Sequence, residues 1–147
     1  MEIELVKDII KATGSTEFEP VGSRTIPGAA GPDSDYDLLI FSKRYDSMWS
    51  KKEVVGKLRA LGFVPDSPKR TVKGQYGETR TLSGYGTGPF DSFRKDDINL
   101  ILTGKKEFYK SFLEANKLAV AMKLTNRDDR VTLFKYVLYG ELPDVSS

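Results

Sequence analysis

Hydrophobic positions at the start of the chain recur at helical spacing. Ile3, Val6 and Ile10 lie three or four residues apart, and Gly14 follows the last of them. Residues at this spacing share one face of a helix, and glycine commonly ends a helix because it adopts the left-handed backbone conformation. The pattern therefore predicts a first helix that ends at Gly14.

Two extended segments come next. Residues 18–21 run into Gly22-Ser23, and residues 35–41 are apolar on both faces after Asp37. A strand that is apolar on both faces is typical of the interior of a sheet that is covered on both sides. We predict a short strand that ends at Gly22-Ser23 and a second strand inside the sheet.

The middle of the chain predicts one helix and several strands. Ser50 and Glu53 form a capping box before an apolar stripe that ends at Gly62, which predicts a helix. Residues 63–88 are rich in Gly, Lys, Arg and Thr, which is typical of hairpin strands and loops. Residues 97–102 predict a further strand, which Thr103-Gly104 ends.

Two helices are predicted at the C-terminal end, over about residues 105–140. The first has one apolar face, formed by Phe108, Phe112, Ala115, Ala119 and Met122. Thr125 and Asp128 form a capping box for the second, which ends at Gly140. The order of elements predicts an α/β (α+β) fold, in which a mixed β-sheet carries packed helices and a C-terminal helical pair. We expect residues 1–147 to form one domain.

Composition excludes several kinds of chemistry. The chain has no histidine and no cysteine, so Ser-His-Asp and Cys-His catalysis, thiolate metal sites and histidine-bound zinc are ruled out. The remaining oxygen ligands suit Mg²⁺ or Mn²⁺. A net charge of +2 is too small to indicate nucleic-acid or membrane binding by bulk charge. Without an apolar run of spanning length or a signal-like N-terminus, we expect a cytoplasmic protein that does not bind membranes.

Three aspartates precede the predicted interior strand. Asp35 and Asp37 are two residues apart, so their side chains point to the same side of an extended chain, with Asp33 just outside. Two carboxylates held that close repel each other unless a cation neutralises them. The spacing also matches the start of a calcium-binding EF-hand loop, but Leu38 and Arg44 stand where that loop requires Gly and Glu.

Gly22-Ser23 has the composition of a phosphate-binding turn. Such a turn exposes backbone N–H groups and a hydroxyl, and glycine lets a phosphate approach the backbone closely. Arg24 follows directly, so the turn would hold it near a phosphate. The basic residues 68–73, with Arg80 and Arg94, could contact a triphosphate or a polynucleotide, although a solvated loop is the more common role for most residues of this kind. We interpret Arg127 as an ordinary exposed charge at a helix end.

Together these motifs resemble the nucleotidyltransferase superfamily, which has a polymerase-β-like fold, and its small, minimal members above all. The shared pattern is a hydrophobic residue with Gly22-Ser23, then 11 residues, then Asp35-Tyr36-Asp37-Leu38. The resemblance implies that Asp35 and Asp37 bind Mg²⁺ or Mn²⁺ and that Gly22 and Ser23 bind the phosphates of a nucleoside triphosphate, ATP above all. Residues 108–140 are also similar to small bacteriophage-encoded members, for which the host cytoplasm would be the location.

The position of a third acid departs from that family pattern. Asn99 stands where the family has Asp or Glu, and Asp97 lies two residues earlier on the same strand. We therefore expect Asp35, Asp37 and Asp97 as the catalytic and metal-binding residues, and Gly22, Ser23, Arg24 and Asn99 as the nucleotide-binding ones.

Three functions remain open from the sequence. The first is transfer of a nucleoside monophosphate from Mg-NTP to a hydroxyl of a protein, RNA or small molecule, with release of pyrophosphate. The second is a catalytically degenerate protein of the same fold that binds nucleotide, a host protein or nucleic acid without turnover. The third is a domain with a purely structural role.

Overall fold

The structure is a computed structural model that describes residues 2–66, 69–73, 76–77, 79–83 and 90–142. The helices found in these ranges are Ile3–Thr13 (α1), Met48–Ala60 (α2), Lys106–Ala121 (α3) and Arg127–Tyr139 (α4). The strands are Glu17–Val21 (β1), Tyr36–Phe41 (β2), Val64–Pro65 (β3), Lys69–Lys73 (β4), Thr79–Ser83 (β5), Phe90–Lys95 (β6) and Ile98–Thr103 (β7). Among these described segments, no helix is long and apolar enough to cross a membrane.

A five-stranded sheet in the order β1-β2-β7-β6-β3 forms the centre of the fold. β2 runs parallel to β7 and antiparallel to β1, while β6 is antiparallel to both β7 and β3. The sheet is therefore mixed, and β2 lies inside it, as its apolar sequence predicts. β4 and β5 form a separate antiparallel pair, which confirms the predicted hairpin, while residues 84–89 lie outside the described part.

The two faces of this sheet are covered by different helices. Leu38 and Ile40 of β2 point toward α1 and α2, where Ile9, Val54 and Leu58 complete one buried cluster. On the opposite face, a second cluster joins the sheet to α3, with α4 packed against it; its members are Val21, Leu39, Phe41, Phe90, Ile101, Phe108, Tyr109 and Phe112. The predicted α+β arrangement of a mixed sheet with packed helices and a C-terminal helical pair is confirmed.

Two helices begin at other residues than the capping boxes predict. The side chain of Ser47 accepts the backbone N–H of Ser50, so α2 begins three residues earlier than predicted. For α4 the cap is Asn126, whose side-chain oxygen accepts the N–H groups of Asp128 and Asp129. A side-chain oxygen at the cap position satisfies N–H groups that have no partner within the helix. The ends predicted at Gly14 and Gly140 are confirmed by their left-handed backbone.

β6 is a strand that the sequence analysis did not identify. Its residues Phe90–Lys95 carry polar or charged side chains on both faces, so no alternation marks it. A two-residue turn, Asp96-Asp97, joins it to β7, and Asp96 has a φ of +53°. The predicted strand 97–102 consequently begins at Ile98, and Asp97 belongs to the turn.

Gly104, in the loop after β7, and Gly56, in α2, should respond differently to substitution by alanine. A Cβ on Gly104 would lie 2.4 Å from the carbonyl oxygen of Tyr45 and 2.8 Å from the backbone nitrogen of Asp46, whereas Gly56 in α2 has open space around it. We expect Gly104→Ala to lower the free energy of unfolding by about 1–3 kcal/mol, because backbone atoms must move. Gly56→Ala should raise it by up to about 1 kcal/mol through helix propensity.

Urea denaturation of the two variants measures both changes under the same conditions. Equal stabilities of Gly104→Ala and the unchanged protein would contradict the close approach of the loop after β7 to the segment between β2 and α2.

Candidate functional site

One row of side chains crosses the sheet at the beginning of β2. Val21, Asp37, Asn99 and Arg94 are register partners on β1, β2, β7 and β6. Residues that stand opposite each other in paired strands share a face. All four line a cavity on the face that α3 and α4 cover.

This cavity has a volume of about 410 Å³, which is within the range of small-molecule sites. Its acidic residues are Asp33, Asp35, Asp37 and Asp66, and its arginines are Arg94, Arg127 and Arg130. An apolar part is formed by Val21, Ile101, Phe112, Val131 and Phe134. The rings of Phe112 and Phe134 meet edge to face, with their centres 4.9 Å apart. The cavity thus combines charged groups with an aromatic surface.

The Gly22-Ser23 turn lies directly against Asp37. A Cβ on Gly22 would be 2.2 Å from Oδ2 of Asp37, and the φ of Gly22 is +85°. Both the space and the backbone conformation therefore require glycine. The carbonyl oxygen of Gly22 accepts the N–H of Thr25 at 3.0 Å and its hydroxyl at 2.7 Å, which closes a short 3-10 turn. Ser23 lines the cavity, so the structure brings the two sequence motifs together.

Asn116 of α3 holds this turn in place, although the sequence analysis did not identify it. Its Oδ1 accepts the N–H of Gly22 at 2.9 Å, and its Nδ2 donates to the hydroxyl of Thr25 at 3.1 Å. Asn116 is buried and also lines the cavity. A lone amide in the apolar stripe of α3, one turn after Phe112, is the signal that could have identified it.

Asp37 is in an environment that disfavours its charge. The pKa of Asp37 is raised from 3.8 to about 6, mainly because burial removes the carboxylate from water. A hydrogen bond from Asn99 lowers the pKa and offsets part of this rise. The Asp35 carboxylate also raises this pKa, and Arg94 lowers it. The Asn99 amide donates to Oδ1 of Asp37 at 3.1 Å, while its own buried oxygen accepts no hydrogen bond among the described residues. A carboxylate and an unused carbonyl oxygen therefore lie side by side.

Asp35 is held by an arginine instead of lying free. Two nitrogens of Arg94 donate to the two oxygens of Asp35, at 2.9 and 3.0 Å, and its Nε donates to Asp66 at 2.6 Å. These hydrogen bonds to Asp35 and Asp66 raise the pKa of Arg94. Arg94, for which the sequence left open a contact to phosphate or a polynucleotide, is thus bound to two carboxylates.

Arg24 lies outside the group of residues that line the cavity. Its guanidinium donates to the backbone oxygen of Ser34 at 2.7 and 3.1 Å and lies 4.0 Å from the centre of the Tyr36 ring. These contacts join the two ends of the loop between the Gly22-Ser23 turn and β2. The structure therefore places Arg24 on this loop and not among the residues that face the cavity.

Asp97 is likewise outside the cavity. It is exposed in the turn before β7, and its backbone oxygen accepts the N–H of Tyr36 at 2.7 Å. Within the described ranges, no three His, Cys, Asp or Glu side chains form a group that could hold a metal ion. The structure thus brings together Gly22, Ser23, Asp35, Asp37 and Asn99, without Asp97.

Arg127 and Arg130 line the cavity from the first turn of α4. Arg130 donates to the backbone oxygens of Leu124 and Thr125, at 3.0 and 2.8 Å. Arg127 forms no ion pair or hydrogen bond with any described residue. The sequence suggested an ordinary exposed charge at a helix end, whereas the structure places Arg127 at the cavity. Positive charge is unfavourable at a helix N-terminus, so two arginines there are a signal that the sequence carried.

Comparisons with known proteins find similarity at the level of structure and none at the level of sequence. No protein-family model and no curated protein matches the sequence. The structure is similar to terminal uridylyl transferase 4 from Trypanosoma brucei, solved with bound UTP and UpU, with a TM-score of 0.45 and 12% identity. The similarity covers 90% of this chain and 42% of that chain, so this chain spans less than half of its length. At this TM-score the similarity says nothing about function, which is inferred below from the residues of the cavity.

The raised pKa of Asp37 predicts a pH-dependent loss of stability in the metal-free protein. Below pH 3.8 Asp37 is protonated in both the folded and the unfolded state, and above about pH 6 it is charged in both. Stability therefore falls as the pH rises between these values, because only the folded state resists deprotonation. Asp37→Asn removes this penalty, so we expect it to be more stable than the unchanged protein at pH 7.5 and not at pH 3.5.

Thermal unfolding in EDTA at both pH values gives the measurement. Asp33→Asn is the control, because Asp33 is an exposed aspartate of the same cavity. If Asp33→Asn and Asp37→Asn change stability equally at pH 7.5, burial of Asp37 is not the cause.

Proposed function

We propose that the cavity binds a nucleoside triphosphate with Mg²⁺ or Mn²⁺ and transfers its nucleoside monophosphate to an acceptor hydroxyl, releasing pyrophosphate. The contact between the Gly22 backbone and the Asp37 carboxylate carries this proposal. It joins a turn suited to phosphate and a carboxylate suited to a hard cation in one place. The order and spacing of these motifs resemble those of nucleotidyltransferases.

The residues present fit a divalent cation. Asp35 and Asp37 supply carboxylate oxygens, and the buried, unpartnered Oδ1 of Asn99 supplies a carbonyl oxygen. Oxygen atoms of these types are the ligands that Mg²⁺ and Mn²⁺ take in proteins. When bound, such a cation neutralises phosphate charge and promotes in-line displacement at phosphorus. A positive charge beside Asp37 would also favour the ionised form that burial disfavours.

The other cavity residues can bind the remaining parts of a nucleotide. Ser23 offers a hydroxyl next to the Gly22 turn, and Arg127 can donate several hydrogen bonds to a phosphate oxygen. Phe112 and Phe134 offer a surface against which a base can pack. We assign the triphosphate to the charged part of the cavity and the base to its aromatic part.

Binding without turnover is the second candidate, and two observations favour it. Asn99 is neutral and cannot act as a base, and Arg94 already neutralises both oxygens of Asp35 without a metal. Such a protein would bind a nucleotide, a host protein or nucleic acid at this surface and release no pyrophosphate.

Nucleotide binding and transfer are tested separately. Thermal unfolding with Mg²⁺ and each of the four ribonucleoside triphosphates, ATP first, reports binding, because a ligand at 100 times its Kd adds about 2.7 kcal/mol of stability. Labelled NTP with RNA, protein lysate or small hydroxyl compounds, and a pyrophosphate assay, report transfer. We expect Asp37→Asn to abolish the Mg-NTP effect and Asp33→Asn to retain most of it.

Stabilisation without label transfer would support the binding candidate. If no triphosphate stabilises the protein at millimolar concentration, both candidates based on nucleotide are wrong.

Two arginine variants test which arginine contacts the phosphates. The sequence favours Arg24, whereas the lining of the cavity favours Arg127. Arg127→Met should weaken ATP binding about tenfold, because it removes hydrogen bonds to a charged group, and should weaken AMP binding less. Arg24→Met should change the ATP affinity by less than about twofold, since Arg24 is held by the Ser34 carbonyl. Equilibrium dialysis with labelled nucleotide measures both. A large effect of Arg24→Met with none of Arg127→Met would reverse the assignment.

A further inference from the structure

Arg94 occupies both oxygens of one of the two motif aspartates. The two hydrogen bonds to Asp35 run in parallel, and a third guanidinium nitrogen binds Asp66. The side chains of Arg94 and Asp35 are 35% and 38% exposed, so the pair lies at the rim of the cavity and not in the core. An ion pair at such a position can open without unpacking the protein.

The fold directs Arg94 toward this position. Arg94 pairs with Asn99 in the register of β6 and β7, and with Val64 on its other side. It therefore continues the row of Asp37 and Asn99, and its long side chain extends toward Asp35 just before β2. Because neighbouring strands hold its backbone on both sides, Arg94 is positioned by the sheet itself.

We propose that Arg94 competes with the metal ion for Asp35. In the metal-free protein Arg94 binds Asp35 and Asp66, and when a divalent cation binds Asp35, Arg94 keeps Asp66 as its only carboxylate partner. This inference rests on the proposed function only in taking Asp35 as a metal ligand. Guanidinium and metal cannot use the same two carboxylate oxygens fully at once, so the affinity for metal includes the cost of breaking the Arg94–Asp35 pair. Asp66 lowers that cost, because in the metal-free protein it shares the guanidinium charge with Asp35 and weakens the pair that must break, and afterwards it compensates that charge alone.

Binding of Mn²⁺ alone, without nucleotide, tests the competition. The free Mn²⁺ signal in electron paramagnetic resonance gives the Kd for the unchanged protein and for four variants. Arg94→Met should bind Mn²⁺ about tenfold more tightly, because no charge-assisted pair must break. Arg94→Lys should lie between the two, since it keeps the charge and loses the planar fork.

Arg127→Met is the matched control for general electrostatics. It removes the same charge from the same cavity, and Arg127 makes no contact with Asp35. We expect its Mn²⁺ affinity to stay within about twofold of that of the unchanged protein. If Arg94→Met and Arg127→Met raise the affinity equally, only the net charge of the cavity matters and the proposal is wrong.

For Asp66→Asn we expect a change in Mn²⁺ affinity opposite in sign to that of Arg94→Met. Without the Asp66 carboxylate the displaced arginine loses its remaining partner, so Mn²⁺ should bind more weakly than to the unchanged protein. Unchanged or tighter Mn²⁺ binding by Asp66→Asn would overturn the role of Asp66 as the carboxylate that stays bound to Arg94 when the metal occupies Asp35. Circular dichroism of each variant verifies folding, and Arg94→Lys keeps the test valid if Arg94→Met does not fold.

The outcome is separable from that of the nucleotide experiments. Tighter Mn²⁺ binding by Arg94→Met, in a protein that no triphosphate stabilises, would support the competition and reject the proposed function. Absence of Mn²⁺ binding to Arg94→Met and Arg94→Lys at millimolar concentration would reject the competition, whatever the result with nucleotides.

Discussion

The contact between Asp37 and the backbone of Gly22 is the constraint on which the rest of the site depends. β1 and β2 pair so that Val21 stands opposite Asp37, and the chain must leave β1 beside that carboxylate. Only a residue without a Cβ fits there, and its φ of +85° turns the chain into Ser23. The position of the turn and the opening of the cavity follow from this contact.

α3 secures the same turn from the opposite side. Asn116 binds the N–H of Gly22 and the hydroxyl of Thr25, while Phe108 and Phe112 of the same helix lie in the hydrophobic cluster on this face. The turn is therefore attached to a well-packed part of the protein. Because Asn116 occupies the N–H of Gly22, the Ser23 hydroxyl is a donor that this turn can offer to the phosphate of the proposed function. Its rigid attachment means that it need not reorganise when charge arrives.

Two aspartates that look equivalent in the sequence are chemically different in the structure. Asp35 is paired with Arg94, which neutralises its charge at the rim of the cavity. Asp37 is further from water and has the neutral Asn99 amide as its hydrogen-bond partner, so its pKa is raised to about 6. A cation that enters the cavity would meet one carboxylate that is already paired and one whose charge is poorly stabilised. Different surroundings of this kind separate the roles of neighbouring carboxylates.

By itself the sequence determined the elements that depend on neighbouring residues: the apolar interior strand β2, the helices, and the Gly22-Ser23 turn with Asp37 at the next strand. It did not determine β6, because polar residues on both faces of a strand leave no periodic signal. The positions of Asn116, Arg94 and Arg127 around one cavity were decided only by the tertiary structure. Asn116 is 94 positions from Gly22, and Arg94 is 59 from Asp35. Strand register and helix packing bring such distant residues together, and neither is encoded in a local pattern.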